Sequence, residues 1–166
     1  MRSITKRTVR FVRQRGSVIV AVAVALTALL GMAALSVDYG VVAIARQQLQ
    51  NTADAAALAA AGQLGDGGGD GSARQVAVQV ANCNQCLKRP VTINPGLDIS
   101  VGAWDPVTRQ VVAPVATHGS TAVQVTVRRT SGSPDGPVPL GFSRIFGINS
   151  ANVTATAAAG IVVGTG

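Results

Sequence analysis

Gly16-Ser17-Val18-Ile19-Val20-Ala21-Val22-Ala23-Val24-Ala25-Leu26-Thr27-Ala28-Leu29-Leu30-Gly31-Met32-Ala33-Ala34-Leu35-Ser36-Val37 is a run of 22 residues without a charge, closed by Arg15 before it and Asp38 after it. A helix over this run is about 33 Å long at 1.5 Å per residue, against about 30 Å of bilayer hydrocarbon, so it suits a membrane span better than a buried soluble helix. A cleavable secretory signal shares the basic start and apolar middle, and Ala33-Ala34-Leu35-Ser36 reads as a poor cleavage site. Signal cores, however, usually hold only about 7 to 15 residues. The run is therefore read as a retained signal-anchor.

Six basic residues, Arg2, Lys6, Arg7, Arg10, Arg13 and Arg15, precede the run with no acid among them. By the positive-inside rule they set the topology: N-terminus in the cytoplasm, everything from Asp38 onward outside it. The same residues explain the formal charge of +7 and the isoelectric point of 11.1. Outside the N-terminal segment the chain carries eight basic and seven acidic groups, so no basic face remains for a nucleic acid. The N-terminal cluster instead suits the anionic inner leaflet, where each Lys or Arg near the surface contributes about 1 kcal/mol.

The residues after the span suffice for one small domain. With three Phe, one Tyr and one Trp in the whole chain, its core must come from Val, Ile, Leu and Ala. Helical spacing continues beyond Asp38: Leu35, Val42, Leu49 and Ala56 recur every seven residues and define a candidate contact face. The alanine-rich stretch 53–61 has high helix propensity and no bulky side chains except Leu58. Such a surface lets another element approach closely, either the chain's own sheet or another subunit. Gly40 is the expected kink.

Five glycines within 65–71 predict the end of this helix and a hinge. Ser72 is the expected N-cap of a short helix with Val76, Val80, Cys83 and Leu87 on one face, stopped by Pro90. Alternation then predicts strands around Leu97 to Ala103 and Thr121 to Arg128, with a shorter one over Arg109 to Val115. Three Pro and two Gly make 131–139 a loop; a short helix over Leu140 to Phe146 and a last strand over Ser150 to Val163 follow. The expected organisation is a basic cytoplasmic segment (1–15), a transmembrane helix (16–37), its extracytoplasmic extension (38–64), a glycine-rich linker (65–71) and a small α+β domain (72–166). The fold class is α+β, a long N-terminal helix followed by a small antiparallel-sheet domain.

Little here supports catalysis. One His, no Glu and seven scattered Asp leave almost no inventory for acid–base chemistry, and Asp66 and Asp105 read as turn residues. Cys83-Asn84-Gln85-Cys86 is the one motif with chemistry of its own: a structural disulfide, free or intermolecular thiols, or a redox pair. There is no second CxxC, and the lone His118 sits in a Gly/Ser-rich turn, so one chain cannot build a four-ligand zinc site. On a regular helix the Cβ atoms at i and i+3 lie about 5 to 6 Å apart, whereas a disulfide needs roughly 3.5 to 4.5 Å. A bond would require the helix end to open, which Asn82, Asn84 and Pro90 favour. No cofactor, metal or small-molecule substrate is expected.

Arg15-Gly16-Ser17-Val18, the apolar run, Val37-Asp38-Tyr39-Gly40 and Leu49-Gln50-Asn51-Thr52-Ala53-Asp54-Ala55-Ala56-Ala57-Leu58 together resemble the N-terminal module of TadE/TadG-like proteins of the tight-adherence (Flp) pilus-assembly system. Asp98-Ile99-Ser100-Val101-Gly102-Ala103-Trp104-Asp105 and Val138-Pro139-Leu140-Gly141-Phe142 extend the resemblance. It implies a bacterial inner-membrane protein of pilin-like topology, a structural or accessory component that meets other pilus or secretion-apparatus subunits. Flp-type prepilins carry Glu at the fifth position after the cleaved Gly, where this chain has Ala21 after Gly16, so the basic N-terminus is expected to be kept. Larger family members bind a divalent cation through an Asp-x-Ser-x-Ser loop; Asp98 to Gly102 lacks the second Ser and reads as a strand. The alternative reading is a membrane-anchored extracytoplasmic domain that binds a ligand or adheres.

Overall fold

The computed structural model describes residues 15–113 and 119–161. Helix α1 (Arg15–Gly65) is continuous over 51 residues, which is about 76 Å at 1.5 Å per residue. It passes through Gly40 without interruption. Its first half, from Val18 to Val37, has almost no protein around it: Ile19 and Leu30 are about 70% exposed. A helix apolar on every side and left almost uncovered suits lipid, and this one fits a single-pass membrane anchor.

The second half of α1 is the spine of the outer domain. Ala45, Leu49, Ala53, Ala56 and Ala60 are fully buried at steps of three and four, one stripe of an α-helix. They face a four-stranded antiparallel sheet of order β4-β3-β5-β8, built from β3 (Ile99–Asp105), β4 (Gln110–Val112), β5 (Ala122–Arg129) and β8 (Val153–Gly160). In β5 every second residue, Val123, Val125 and Val127, is buried. Each removes a side chain worth about 1.5 to 3 kcal/mol from water. These three valines stand opposite Ala159, Ala157 and Ala155 of β8. Valine beside alanine keeps the sheet surface low, so the alanine stripe of α1 can lie directly upon it.

Helix α2 (Asp70–Asn82) returns antiparallel against α1, burying Ala73, Ala77 and Ala81. Alanine on alanine permits a close helix pair, since the interaxial distance is set by the side chains between. This corrects the expected face: Val76 and Val80 are only partly covered. The helix also begins three residues earlier than expected, with Gly69 rather than Ser72 at the N-cap, and it ends at Asn82, well before Pro90.

The segment between α1 and α2 is a tight turn. Gly67 has φ +82, Gly68 N–H donates to Gln63 O at 2.9 Å, and Gly67 N–H donates to Leu64 O at 3.1 Å. This is the paired closure that ends helices with a left-handed residue, which favours Gly. A Cβ at Gly68 would meet the Gln63 carbonyl oxygen at 2.5 Å. Glycine is therefore required for close approach, where composition alone suggested a free hinge.

Short ribbons complete the domain: β1 (Gln85–Cys86) with β2 (Arg89–Pro90), and β6 (Val138–Pro139) with β7 (Ser150–Ala151). The expected helix over Leu140 to Phe146 is a single 3-10 turn, Ser143–Phe146. The last strand breaks at Asn152 into β7 and β8. Leu97 lies outside the strand and is exposed.

Candidate functional site

Asp38 sits where the uncovered half of α1 meets the half that carries the domain. The residue is 5% exposed, and its carboxylate's partners come from more than a hundred residues away. Oδ1 accepts from Gly141 N–H at 2.9 Å; Oδ2 accepts from Phe142 N–H at 3.0 Å, Ser143 N–H at 2.6 Å and the Ser143 hydroxyl at 2.6 Å. The carboxylate thereby takes up the free N–H groups at the start of the 3-10 turn. The Ser143 hydroxyl outweighs the opposing effect of burial and, with the three backbone donors, lowers the pKa of Asp38 from 3.8 to about 2. A buried charge so fully matched is a fastening between helix and domain.

The fastened segment is a closed loop. Ribbon β6–β7 pairs Val138 with Ala151 and Pro139 with Ser150, and Leu140 N–H donates to Asn149 O at 3.0 Å. From this base the 3-10 turn projects alongside the uncovered part of α1, where Phe146 lines a shallow groove with Ala23, Val24, Thr27, Ala28 and Gly31.

Further polar contacts tie α1 to the domain beyond Asp38. Gln48 Oε1 accepts Leu87 N–H at 2.8 Å, holding the turn after the CxxC segment, where Leu87 has φ +52. Gln50 Nε2 donates to Asp54 Oδ1 at 2.9 Å and reaches Thr156 O at 3.4 Å. Asn51 and Asp54, the polar marks of the alanine run, lie on its exposed side. Arg129 is 2% exposed and donates to the carbonyls of Gly136, Cys86 and Pro137 at 2.8, 3.4 and 3.5 Å. These acceptors meet the requirement that a buried charge be hydrogen-bonded.

Leu49 and Ala56 are fully buried in the helix–sheet contact, and Val42 packs partly against it. Leu35 is 47% exposed, beyond the domain, because the seven-residue spacing carries that face into the stretch where no protein lies. Cys83 is exposed at the end of α2; Cys86 is buried, with Sγ 3.8 Å from Ala45 O. Burial pushes the Cys86 thiol pKa above its usual value. Both thiols are free. Arg2, Lys6, Arg7, Arg10 and Arg13, the side chain of Arg15, and His118 lie outside the described residues.

Asp105 closes a turn, accepting Val107 N–H at 2.9 Å and the Thr108 hydroxyl at 2.6 Å. Asp98 receives Asn94 N–H at 2.8 Å and pairs with Arg128 at 2.7 Å. Among the described residues, no three His, Cys or Asp side chains gather as a metal site would need. The role of Asp38 was not visible in the sequence, where it only marked the end of the apolar run. Both halves of the contact, Val37-Asp38-Tyr39-Gly40 and Val138 to Phe142, nevertheless belong to the resembling segments.

Two protein families match the chain. One, described as Flp pilus-assembly TadE/G-like, covers residues 16–63, which is α1 almost end to end. The other, described as Tad-like Flp pilus-assembly, covers residues 59–159, from the end of α1 through the sheet. No curated protein and no solved structure matches the chain. The two matches overlap at the close of α1, where the membrane helix has already become the spine of the outer domain, and together they establish that the chain belongs to the Tad-like Flp pilus-assembly family, whose members are components of Flp pilus assembly.

Proposed function

We propose that this protein is a non-enzymatic, single-pass component of the bacterial inner membrane, with its N-terminus in the cytoplasm and its α+β domain outside. In this reading it serves the Flp pilus apparatus by presenting a rigid surface to other subunits. The observation that carries the proposal is the continuity of α1: one helix is bare and apolar from Val18 to Val37 and becomes the buried spine of the domain from Ala45 to Leu64. Asp38 locks the two halves at their junction. A rigid head on a membrane stem suits an assembly role, because a neighbour that binds the head also fixes the stem.

Orientation rests on the six basic residues before the span against Arg46 alone shortly after it. The exposed side of α1 from Tyr39 to Asn51, which includes Arg46, Gln47 and Gln50, is the surface proposed to meet other apparatus subunits. A phosphatase reporter that works only outside the cytoplasm, fused after Gly166, tests the topology. Activity is the expected result, and an inactive reporter made in normal amount overturns it.

A further inference from the structure

The 3-10 turn exposes more apolar surface than a water-facing loop has reason to carry. Ile145 is 81% exposed, Phe146 68%, Ile148 56% and Phe142 46%, four large apolar side chains within seven residues. They lie on the side of the domain from which the bare helix leaves. Phe146 reaches a groove lined by Thr27, Ala28 and Gly31, residues that the span reading puts inside the bilayer. Gly31 is seven residues inward of Asp38, about 10 Å along the helix axis.

We propose that the turn 142–148 inserts into the outer leaflet beside α1 as a second membrane contact. This rests on the reading of residues 16–37 as the span. The backbone suits it: in lipid, polar backbone groups must be satisfied within the protein. Gly141, Phe142 and Ser143 donate to Asp38, while Ile145, Gly147 and Ile148 donate to the carbonyls of Phe142, Arg144 and Ser143. The same carboxylate that fastens the loop to α1 therefore takes up three of these N–H groups. Arg144, exposed on the same turn, can extend its charge to the headgroup phosphates while its stem stays in the apolar layer. The occupant of this surface is a lipid bilayer, because Phe146 joins the patch to the apolar wall of the span.

The test uses tryptophan as a depth probe in the full chain reconstituted into phosphatidylcholine–phosphatidylglycerol vesicles with brominated acyl chains. The single native tryptophan is removed by Trp104→Phe. Probes are then introduced singly by Phe146→Trp, by Leu26→Trp in the span and by Val107→Trp in an exposed turn of the domain. The expected result is that the Phe146→Trp and Leu26→Trp probes lose most of their emission to brominated lipid and resist aqueous acrylamide. The Val107→Trp probe should do the reverse. Acrylamide quenching of Phe146→Trp, with Leu26→Trp still quenched by lipid, overturns the insertion and leaves the span intact. A Phe146→Trp probe shielded from both quenchers would mean that a second copy covers the turn, which also overturns it. Loss of lipid quenching at Leu26→Trp would remove the span itself.

Discussion

Asp38 and Ser143 stand 105 residues apart in sequence, yet their side chains share a 2.6 Å hydrogen bond, with the Ser143 hydroxyl donating to the Asp38 carboxylate. That contact joins the end of a membrane helix to the loop that closes the outer domain. It also explains how a largely uncovered helix can hold a domain in one orientation: the helix enters the core, and the acidic residue that ends its apolar run is tied to a loop more than a hundred residues away.

The first prediction follows from the charge at this contact. The Asp38 pKa is lowered from 3.8 to about 2, so the stabilisation from this group is fully present above about pH 4 and fades as pH falls through about 2. Asp38→Asn, which keeps the shape but not the charge, should lower the thermal midpoint at pH 7 by about 5 °C or more. The difference between wild type and variant should shrink steadily between pH 4 and pH 2. Thermal melts across that range check it; a difference independent of pH would mean that the charge is not what holds the loop.

Packing on the alanine stripe gives the second. Ala56 is fully buried, so Ala56→Phe should cost about 1 to 3 kcal/mol by overpacking. Leu58→Phe, at a site 67% exposed on the same turn, should be close to neutral. Equal effects in denaturant titrations would show that the face has been misassigned.

The span supplies the third. Leu29→Arg puts a charge near the middle of the apolar run and should cost about 3 kcal/mol of insertion free energy. Membrane fractionation should show a marked loss of anchored protein, and undiminished recovery would place the span elsewhere.

Cysteine chemistry supplies the fourth. Cys83 is exposed, whereas burial both covers Cys86 and raises its pKa, leaving less of the reactive thiolate. Titration of the native protein with a thiol reagent should find one fast site, with the second reacting only after unfolding. Two fast sites would contradict the burial of Cys86. No reactive site before reduction would mean that the two cysteines have paired by opening the end of α2.

What could be read from the sequence was local. The apolar run, the helical spacing through Leu49 and Ala56, and the alternation in Val123, Val125 and Val127 each announce an element, because period alone specifies which face is buried. The seven-residue stripe runs back to Leu35, which the domain leaves exposed, because periodicity does not say where the chain's own sheet stops. The glycines of 65–71 suggested a hinge because their composition is that of a flexible chain; the closure of Gly67 and Gly68 onto Leu64 and Gln63 depends on hydrogen bonds that composition does not report. In α2, the valines carry the stronger hydrophobic signal, yet Ala73, Ala77 and Ala81 are the residues small enough to let two helices touch. The Asp38 clamp was the hardest to see, since neither Asp38 nor Gly141-Phe142-Ser143 carries any signal of the other.

A working part of Flp pilus assembly should be missed when it is removed, and surface pili can be counted by electron microscopy on cells that lack this chain. Flp pili should be lost or sharply reduced, the full chain supplied in trans should restore them, and Leu29→Arg should not. Piliation undiminished in the deletion strain would contradict the assembly role.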